Sequence, residues 1–316
     1  MPFTIVHSSA EWAAAFDGPD HAAVVTIGNF DGVHLGHQRI LATVHEFARQ
    51  ARCISAVLTF FPHPARVLRP AEAPPLLMTL DQRVDAIRQL GIDAAFVLRF
   101  DPQLAAVSAE DFVRRFLVDT MRARAVFVGG NFRFGHRQAG DVRMLAQRGE
   151  QWGFAVKVVP PMIKDGIVVS STAIRGALRE GRVEDARNLL GRPYVLAGEI
   201  RTGTGQGRKL IVPTLNLATE QEMLPKNGVY ATEVAIGDAI YRAATNVGTR
   251  PTFDGARITI ESHLFDFAEN LTGGKMEVHF WARLRDEQRF SGPDALRRQV
   301  LKDIEEARRY FAASRA

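Results

Sequence analysis

The sequence predicts an α/β protein in two parts: a parallel sheet flanked by helices, then a mainly antiparallel β-barrel with a helix at its end. Up to about residue 190, continuous apolar runs of strand length alternate with helical segments. Beyond it, short alternating segments are separated by turn residues, and the last apolar positions recur at spacings of three and four. Strands apolar throughout belong to parallel sheets covered on both faces, whereas alternating strands belong to antiparallel sheets with one wet face.

Ala22–Ile27 is the first expected strand, and Gln38–Gln50 the helix after it. Ile54–Phe60 and Leu80–Leu90 repeat the pair. Ala94–Leu98 and Ala125–Val128 are further strands. Ala109–Val118 lies between them as a helix, with Phe112, Phe116 and Leu117 on one face. Phe154–Val159 is the last strand of this part. Ala173–Arg179 and Val183–Leu190 read as two short helices. Gly191-Arg192-Pro193 ends them, because Gly suits a left-handed cap and Pro cannot continue a helix. Barrel strands are expected at Tyr194–Ile200, Gly228–Ile236, Ala239–Asn246, Arg257–Leu264 and Lys275–Leu284. Gly237-Asp238 and Asp254-Gly255 are turn signals. Leu296, Val300, Ile304, Ala307 and Phe311 form one face of a final helix, and Ser291 with Pro293 supplies its start.

Composition narrows the class. The 316 residues allow about two domains. With 46% hydrophobic and 24% charged residues the mix is that of an ordinary globular protein. No apolar run approaches the roughly 20 residues of a membrane span, and the N-terminus carries no secretory pattern. Cys53 is the one cysteine, so no intrachain disulfide forms, which fits the cytoplasm. The net charge of +5 comes from scattered residues rather than a basic tract. It favours anionic small-molecule substrates over nucleic acid, and no membrane partner is expected. Self-association is not legible.

The stretch from Val24 to His37 carries the most chemistry: a strand, the turn Gly28-Asn29-Phe30-Asp31-Gly32, and His34-x-Gly36-His37 at the mouth of a helix. Glycines let the backbone approach phosphate, and a helix N-terminus offers free N–H groups with a partial positive charge. Two imidazoles add hydrogen bonds where transition-state charge develops. The pattern handles a triphosphate at the carboxyl end of a strand, where such sheets bind ligands. Zinc is disfavoured, since no third and fourth ligand stand at a recognisable spacing.

Gly28-x-Phe30-Asp31-x-x-His34-x-Gly36-His37 resembles the signature of the nucleotidylyltransferase superfamily. Phe60-Phe61-Pro62-His63-Pro64, Gly129-Gly130-Asn131-Phe132-Arg133-Phe134-Gly135 and Ser170-Ser171-Thr172-Ala173-Ile174-Arg175 narrow the resemblance. They are similar to the adenylylating half of prokaryotic bifunctional riboflavin kinase/FAD synthetases, and the whole chain follows that family in order and length. The resemblance implies a Rossmann-like nucleotidylyltransferase domain over 1–187 that adenylylates FMN, and a flavokinase barrel over 188–316. It implies an ATP site of Gly28, Phe30, Asp31, His34, His37, Asn131, Ser171, Thr172 and Arg175, with His34 and His37 on the phosphates. Phe61, Pro62, His63 and Phe132 are the implied flavin contacts. For Phe60, Phe61, Phe132 and Phe134 core packing stands equally open. For Ser171 and Thr172 a plain helix cap is the alternative. Asn131 replaces the family's more usual Asp, and Arg137 stands one place early.

In the second half, Thr202-Gly203-Thr204-Gly205-Gln206-Gly207-Arg208-Lys209 is a glycine loop joined to cations, able to wrap an anion with backbone N–H groups. It lacks the Gly-Lys-Ser/Thr ending of a Walker loop, and a flexible hairpin is the alternative. With Ile211-Val212-Pro213-Thr214-Leu215-Asn216 it resembles the flavokinase motif, whose usual ending is Gly-Phe-Pro-Thr-Ala-Asn. The resemblance implies an ATP site of Gly203, Gly205, Gly207, Arg208, Lys209, Thr214 and Asn216, with Mg²⁺ at Thr214 and Asn216. Asn246-Val247-Gly248-Thr249-Arg250-Pro251-Thr252-Phe253 and Ile260-Glu261-Ser262-His263-Leu264-Phe265-Asp266-Phe267 match later segments of the same family. They imply Glu261 as general base, catalytic together with His34 and His37 of the first site. The alternative for Glu261 is an exposed place on the outer face, while His263 and Asp266 are expected to be structural. The implied activities convert riboflavin and ATP to FMN, then FMN and ATP to FAD with release of pyrophosphate.

Overall fold

The computed structural model describes residues 2–16, 18, 21–201, 213–252, 255–267 and 271–313. They form two compact units, Met1–Val169 and Ser170–Ala316.

The first unit opens with β1 (Thr4–Val6), α1 (Ser9–Ala15), β2 (Ala23–Ile27), α2 (Leu35–Ala51) and β3 (Ile54–Phe61). It continues through α3 (Pro64–Leu68), α4 (Leu80–Gln89), β4 (Ala94–Arg99), α5 (Pro102–Ala105), α6 (Ala109–Phe112) and β5 (Ala123–Gly129). The short strands β6 (Arg133–Phe134) and β7 (Gly140–Asp141) lead to α7 (Val142–Trp152), β8 (Ala155–Val159) and the hairpin of β9 (Ile163–Lys164) and β10 (Ile167–Val168). Six strands make one sheet in the order β1-β4-β3-β2-β5-β8, every pair parallel.

All five residues of β2 are buried, as a central parallel strand requires. Its side chains alternate between two cores. Ala23, Val25 and Ile27 join Trp12, Phe96, Phe112 and Leu117 on one face. Val24 joins Leu41, Val44, Ile87 and Phe127 on the other. From β2 the chain steps to β3 and β4 on one side, then returns to place β5 on the other. The crevice at the carboxyl ends of β2 and β5 is therefore the point where strand order reverses, the usual ligand site of such sheets.

Local chemistry explains the element ends. Thr79 and Gln82 form a reciprocal capping box at the start of α4. The helix expected over Ala109–Val118 begins as α6 and continues to Thr120 with wider turns, in which Met121 N–H donates to the carbonyl of Phe116, five residues back, at 3.0 Å. The sequence does not predict β1, α1 or α7, nor the short pieces α3, α5, β6, β7, β9 and β10. Trp12 is the one buried residue of α1, and Leu145 with Gly149 are those of α7, so neither helix shows a repeated bulky apolar stripe.

The second unit begins with α8 (Ser171–Glu180) and α9 (Val183–Leu190). Strands β11 (Tyr194–Arg201), β12 (Leu215–Ala218), β13 (Gly228–Ile236), β14 (Ala239–Thr252), β15 (Gly255–Leu264) and β16 (Lys275–Arg285) follow, then α10 (Pro293–Ala313). The strands close a barrel in the order β11-β12-β15-β14-β13-β16. Gly237-Asp238 is the two-residue turn between β13 and β14, with Ile236 paired to Ala239. The other turn signal includes Asp254, which lies outside the described residues. β14 runs six residues past its expected end at Asn246, because pairing with β15 from Ala243–Leu264 to Thr252–Gly255 carries the strand through Gly248 and Pro251. The four-residue β12 is held between β11 and β15. Ala231, Ala244 and Ala282 let α10 lie close on the outer face, against Ile304, Ala307 and Phe311. The alternate residues Thr232, Thr245 and Ser262 point inward and are fully buried. Their hydroxyls satisfy one another at 2.6 Å and 2.8 Å.

Candidate functional sites

The turn after β2 is strained. Phe30 and Val33 have φ of 51° and 40°, and Gly32 has 87°. A β-branched residue such as Val33 rarely adopts a positive φ, and such strain persists only where neighbours hold it. They do so here. Gly28 N–H donates to the Leu58 carbonyl at 3.1 Å, and Gln38 Nε2 donates to the Val33 carbonyl at 2.9 Å. The Asp31 carboxylate accepts the Leu77 N–H at 3.0 and 3.1 Å. Phe30 is 2% exposed, and its ring centroid stands 5.0 Å from that of His37.

The turn delivers His34 as the N-cap of α2. Its Nδ1 accepts the His37 backbone N–H at 3.2 Å. An imidazole nitrogen that accepts carries no proton, so neutral His34 is protonated at Nε2 and offers that atom as a donor. The two rings stack with centroids 3.6 Å apart and planes 14° apart. Burial, reinforced by the positive fields of His34 and Arg83, holds the His37 pKa well below the ordinary histidine value. Its Nδ1 is buried with no hydrogen-bond partner among the described residues. His37 is thus held neutral beside His34 at a helix N-terminus, a preformed arrangement suited to a polyphosphate.

Around it stand the residues carried by neighbouring strand ends. His63 caps α3, its Nδ1 accepting the Ala65 N–H at 3.2 Å, and its Nε2 lies 3.1 Å from the side-chain amide of Asn29. Pro62 precedes it, and Phe61 at the end of β3 is 43% exposed. Phe60 instead packs into the core, with ring contacts to Phe100 and Phe112. Asn131 is exposed just beyond β5, on the far side of the switch point. Phe132 is half-buried and stacks on the buried Phe134, centroids 5.3 Å apart. Gly135 has φ 72°, and a Cβ there would stand 2.4 Å from Ala109 Cα.

Ser171 and Thr172 are the first two residues of α8, in the second unit. The cap itself is Ser170, whose hydroxyl accepts the Ala173 N–H at 3.2 Å, so neither Ser171 nor Thr172 serves as the plain cap. Arg175 lies one turn on and is 6% exposed.

The barrel brings a second constellation together. Glu261 of β15 stands directly opposite Asn216 of β12 and Asn246 of β14, with Arg201 opposite Asn216 in turn. Facing residues share one side of a sheet, with Cβ atoms about 5 Å apart. Since Ser262 points inward, this row lies on the outer face. Thr214 is exposed just before β12, and His263 Nδ1 donates to the Pro213 carbonyl at 2.8 Å, which ties that segment to β15. Asp266 pairs with Arg308 at 2.9 Å. Gly203, Gly205, Gly207, Arg208 and Lys209 lie outside the described residues.

Two contributors escape sequence reasoning. Asn29 sits inside the motif without an assigned role, and Arg83 lies in a helix read only for its apolar pattern. The signal for Arg83 is its place on the buried face of α4 beside Val84 and Ile87. Among the described residues no cluster of His, Cys, Asp and Glu side chains is built to hold a metal, and no helix is long and apolar enough to cross a membrane.

Comparison with known proteins covers both units. The FAD synthetase family model matches residues 17–173, and the riboflavin kinase family model matches residues 190–311. The chain is 35% identical over 298 residues to the bifunctional riboflavin kinase/FMN adenylyltransferase of Escherichia coli strain K12, across 94% of this chain and 95% of that one. It is 38% identical to the protein of the same description from Pseudomonas fluorescens, across 94% and 96%. A crystal structure described as a macrolide-efflux protein from Streptococcus pneumoniae aligns with a TM-score of 0.85 at 29% identity, over 97% of this chain and 99% of that one.

Proposed function

The chain belongs to the bifunctional riboflavin kinase/FMN adenylyltransferase family, and from that premise we propose how its residues divide the work. It phosphorylates riboflavin to FMN and adenylylates FMN to FAD, with ATP as the donor in both steps. We draw the functional boundary between residues 187 and 188, within the gap left between the two family matches, whereas the compact units divide earlier, after Val169.

His34 and His37 serve adenylyl transfer. A phosphate oxygen of FMN attacks the α-phosphorus of ATP in line, the bond to the bridging oxygen breaks, and pyrophosphate leaves. The attacking oxygen is already ionised, so no strong base is required. Catalysis comes from positioning and from charge stabilisation by fixed donors. His34 Nε2–H is one such donor. Gly28, Asn131, Ser171, Thr172 and Arg175 contribute to the ATP site, and Asp31 holds the turn from behind. Phe61, Pro62, His63 and Phe132 contribute the flavin side. The observation that supports this most is the stacked His34–His37 pair, preformed at the strand-order reversal.

Glu261 serves the kinase. A primary alcohol is a poor nucleophile, and a carboxylate within reach orients the ribityl 5′-hydroxyl and accepts its proton as the γ-phosphoryl is transferred. Asn216 faces Glu261 across the strands, and Thr214 stands beside it at the strand entrance. Their neutral hard oxygens suit Mg²⁺, which would neutralise phosphate charge when bound with ATP. The glycine loop with Arg208 and Lys209 completes the ATP site. The partners are small molecules, the neutral riboflavin and the anionic ATP and FMN, rather than nucleic acid or membrane, in a cytoplasmic setting consistent with the single Cys53.

Incubation with riboflavin, ATP and Mg²⁺, followed by separation of flavins, tests the activities together. FMN should appear first and FAD after it. Formation of neither would overturn the reading.

A further inference from the structure

The guanidinium of Arg83 is buried at the carboxyl ends of two adjacent strands. It is 4% exposed. Nη1 donates to the Asn29 carbonyl at the start of the strained turn and reaches Thr59 Oγ1 at 3.5 Å. Nη2 donates to the Phe60 carbonyl at 3.4 Å. Thr59 Oγ1 also donates to the Asn29 carbonyl, at 3.4 Å. One side chain from α4 thus joins the exits of β2 and β3, and Nε has no partner among the described residues. Asp31, the carboxylate whose field favours the Arg83 charge, already accepts the Leu77 N–H.

Stability alone does not account for this choice. A cation taken from water and given mainly neutral carbonyls is costly, and an apolar side chain of similar volume is often at least as stable. The location supplies the other reason. Asn29 immediately precedes Phe30, and the positive-φ residues Phe30, Gly32 and Val33 lead directly into the His34 cap. The titratable and charged groups whose fields reach His37 are His34, on the same turn, and Arg83 from α4.

We propose that Arg83 is a positioning residue for FMN adenylylation: it fixes the ends of β2 and β3 and so holds the turn that presents His34 and His37 to the triphosphate. Its charge has a second effect, opposing protonation of His37 before substrate arrives. The inference rests on the assignment of that step to His34 and His37.

The full-length protein carrying Arg83→Gln or Arg83→Lys tests it, with both half-reactions measured. Displacement of a reacting group by about 1 Å can cost on the order of a hundredfold in rate. Arg83→Gln should lower kcat for FMN adenylylation by about that factor, while KM for ATP and FMN moves less than about threefold. The acid limb of its pH–rate profile should shift upward, because His37 then holds a proton more easily. Arg83→Lys, which keeps a cation for the Asn29 carbonyl, should return kcat to within about tenfold of wild type and restore the acid limb. Riboflavin phosphorylation should stay at the wild-type rate in both. Wild-type adenylylation and an unmoved profile in Arg83→Gln overturn the inference, as does an equal loss of both half-reactions in the two variants. A double His34→Ala, His37→Ala protein is measured alongside. Full FAD formation there removes the assignment on which the inference stands. Loss there with none in Arg83→Gln removes the inference alone.

Discussion

His34 Nδ1 accepts the backbone N–H of His37, so one histidine caps the helix that carries the other. A single contact thereby starts α2, selects the Nε2–H tautomer of His34, and brings the two rings to 3.6 Å. Structure and chemistry are joined at this atom, and they can be separated by substitution.

His34→Asn keeps an N-cap and removes the Nε2 donor, whereas His34→Ala removes both. Loss of a cap costs about 1 kcal/mol, so only the Ala variant should unfold at measurably lower denaturant. Loss of one transition-state donor costs roughly 10²–10³ in rate. Both variants should therefore accumulate FMN from riboflavin, as seen by chromatography of the flavins. FAD formation at the wild-type rate in His34→Asn would show that the ring serves only as a cap.

His37 makes stability depend on pH. Its folded pKa is depressed by burial first and by the His34 and Arg83 fields next, so the unfolded chain binds the more protons below about 6.5. Stability then rises with pH below that value and is lost as pH falls, by up to about 1.4 kcal/mol per unit from this group. Denaturant titrations from pH 7 to pH 5 should show that slope, reduced in His37→Gln. An equal slope in both proteins would place the dependence elsewhere.

Glu261→Gln should reduce riboflavin phosphorylation by about 10²–10⁴-fold and leave adenylylation of supplied FMN unchanged. Assays started separately from riboflavin and from FMN distinguish the two steps. A kinase step that survives the substitution would make Glu261 an ordinary outer-face residue.

Gly135→Ala and Gly153→Ala separate crowding from backbone strain. Both positions have positive φ, 72° and 84°. A Cβ at Gly135 would meet Ala109 Cα at 2.4 Å and its nitrogen at 2.5 Å, whereas one at Gly153 meets nothing within 4 Å. Gly153→Ala should cost about 1 kcal/mol from conformation alone. Gly135→Ala should cost at least about 2 kcal/mol more, since backbone cannot move aside as a side chain can. Chemical denaturation of the two variants checks the difference, and equal losses would contradict it.

Elements whose signal is local are legible in the sequence. The fully buried, mainly apolar β2 and the stripe from Leu296 to Phe311 carry their own signal, and both elements formed close to their expected limits. Elements that depend on a partner are not legible in this way. The four residues of β12 become a strand because β11 and β15 flank them, and β14 passes Gly248 and Pro251 because β15 pairs with it throughout. Trp12 alone anchors α1, and one large apolar residue sets no period.

The sequence alone determined which residues could do chemistry, since glycine turns, paired histidines and a Glu within a strand are properties of single segments. Only the tertiary structure decided what each of them faces. The reversal of strand order put the Gly28 turn and Asn131 at neighbouring strand ends, and barrel register set Glu261 between Asn216 and Asn246. It also brought Arg83, 54 positions from Asn29, onto that residue's carbonyl. Such pairings come from contacts between distant segments, which periodicity within any one of them does not encode.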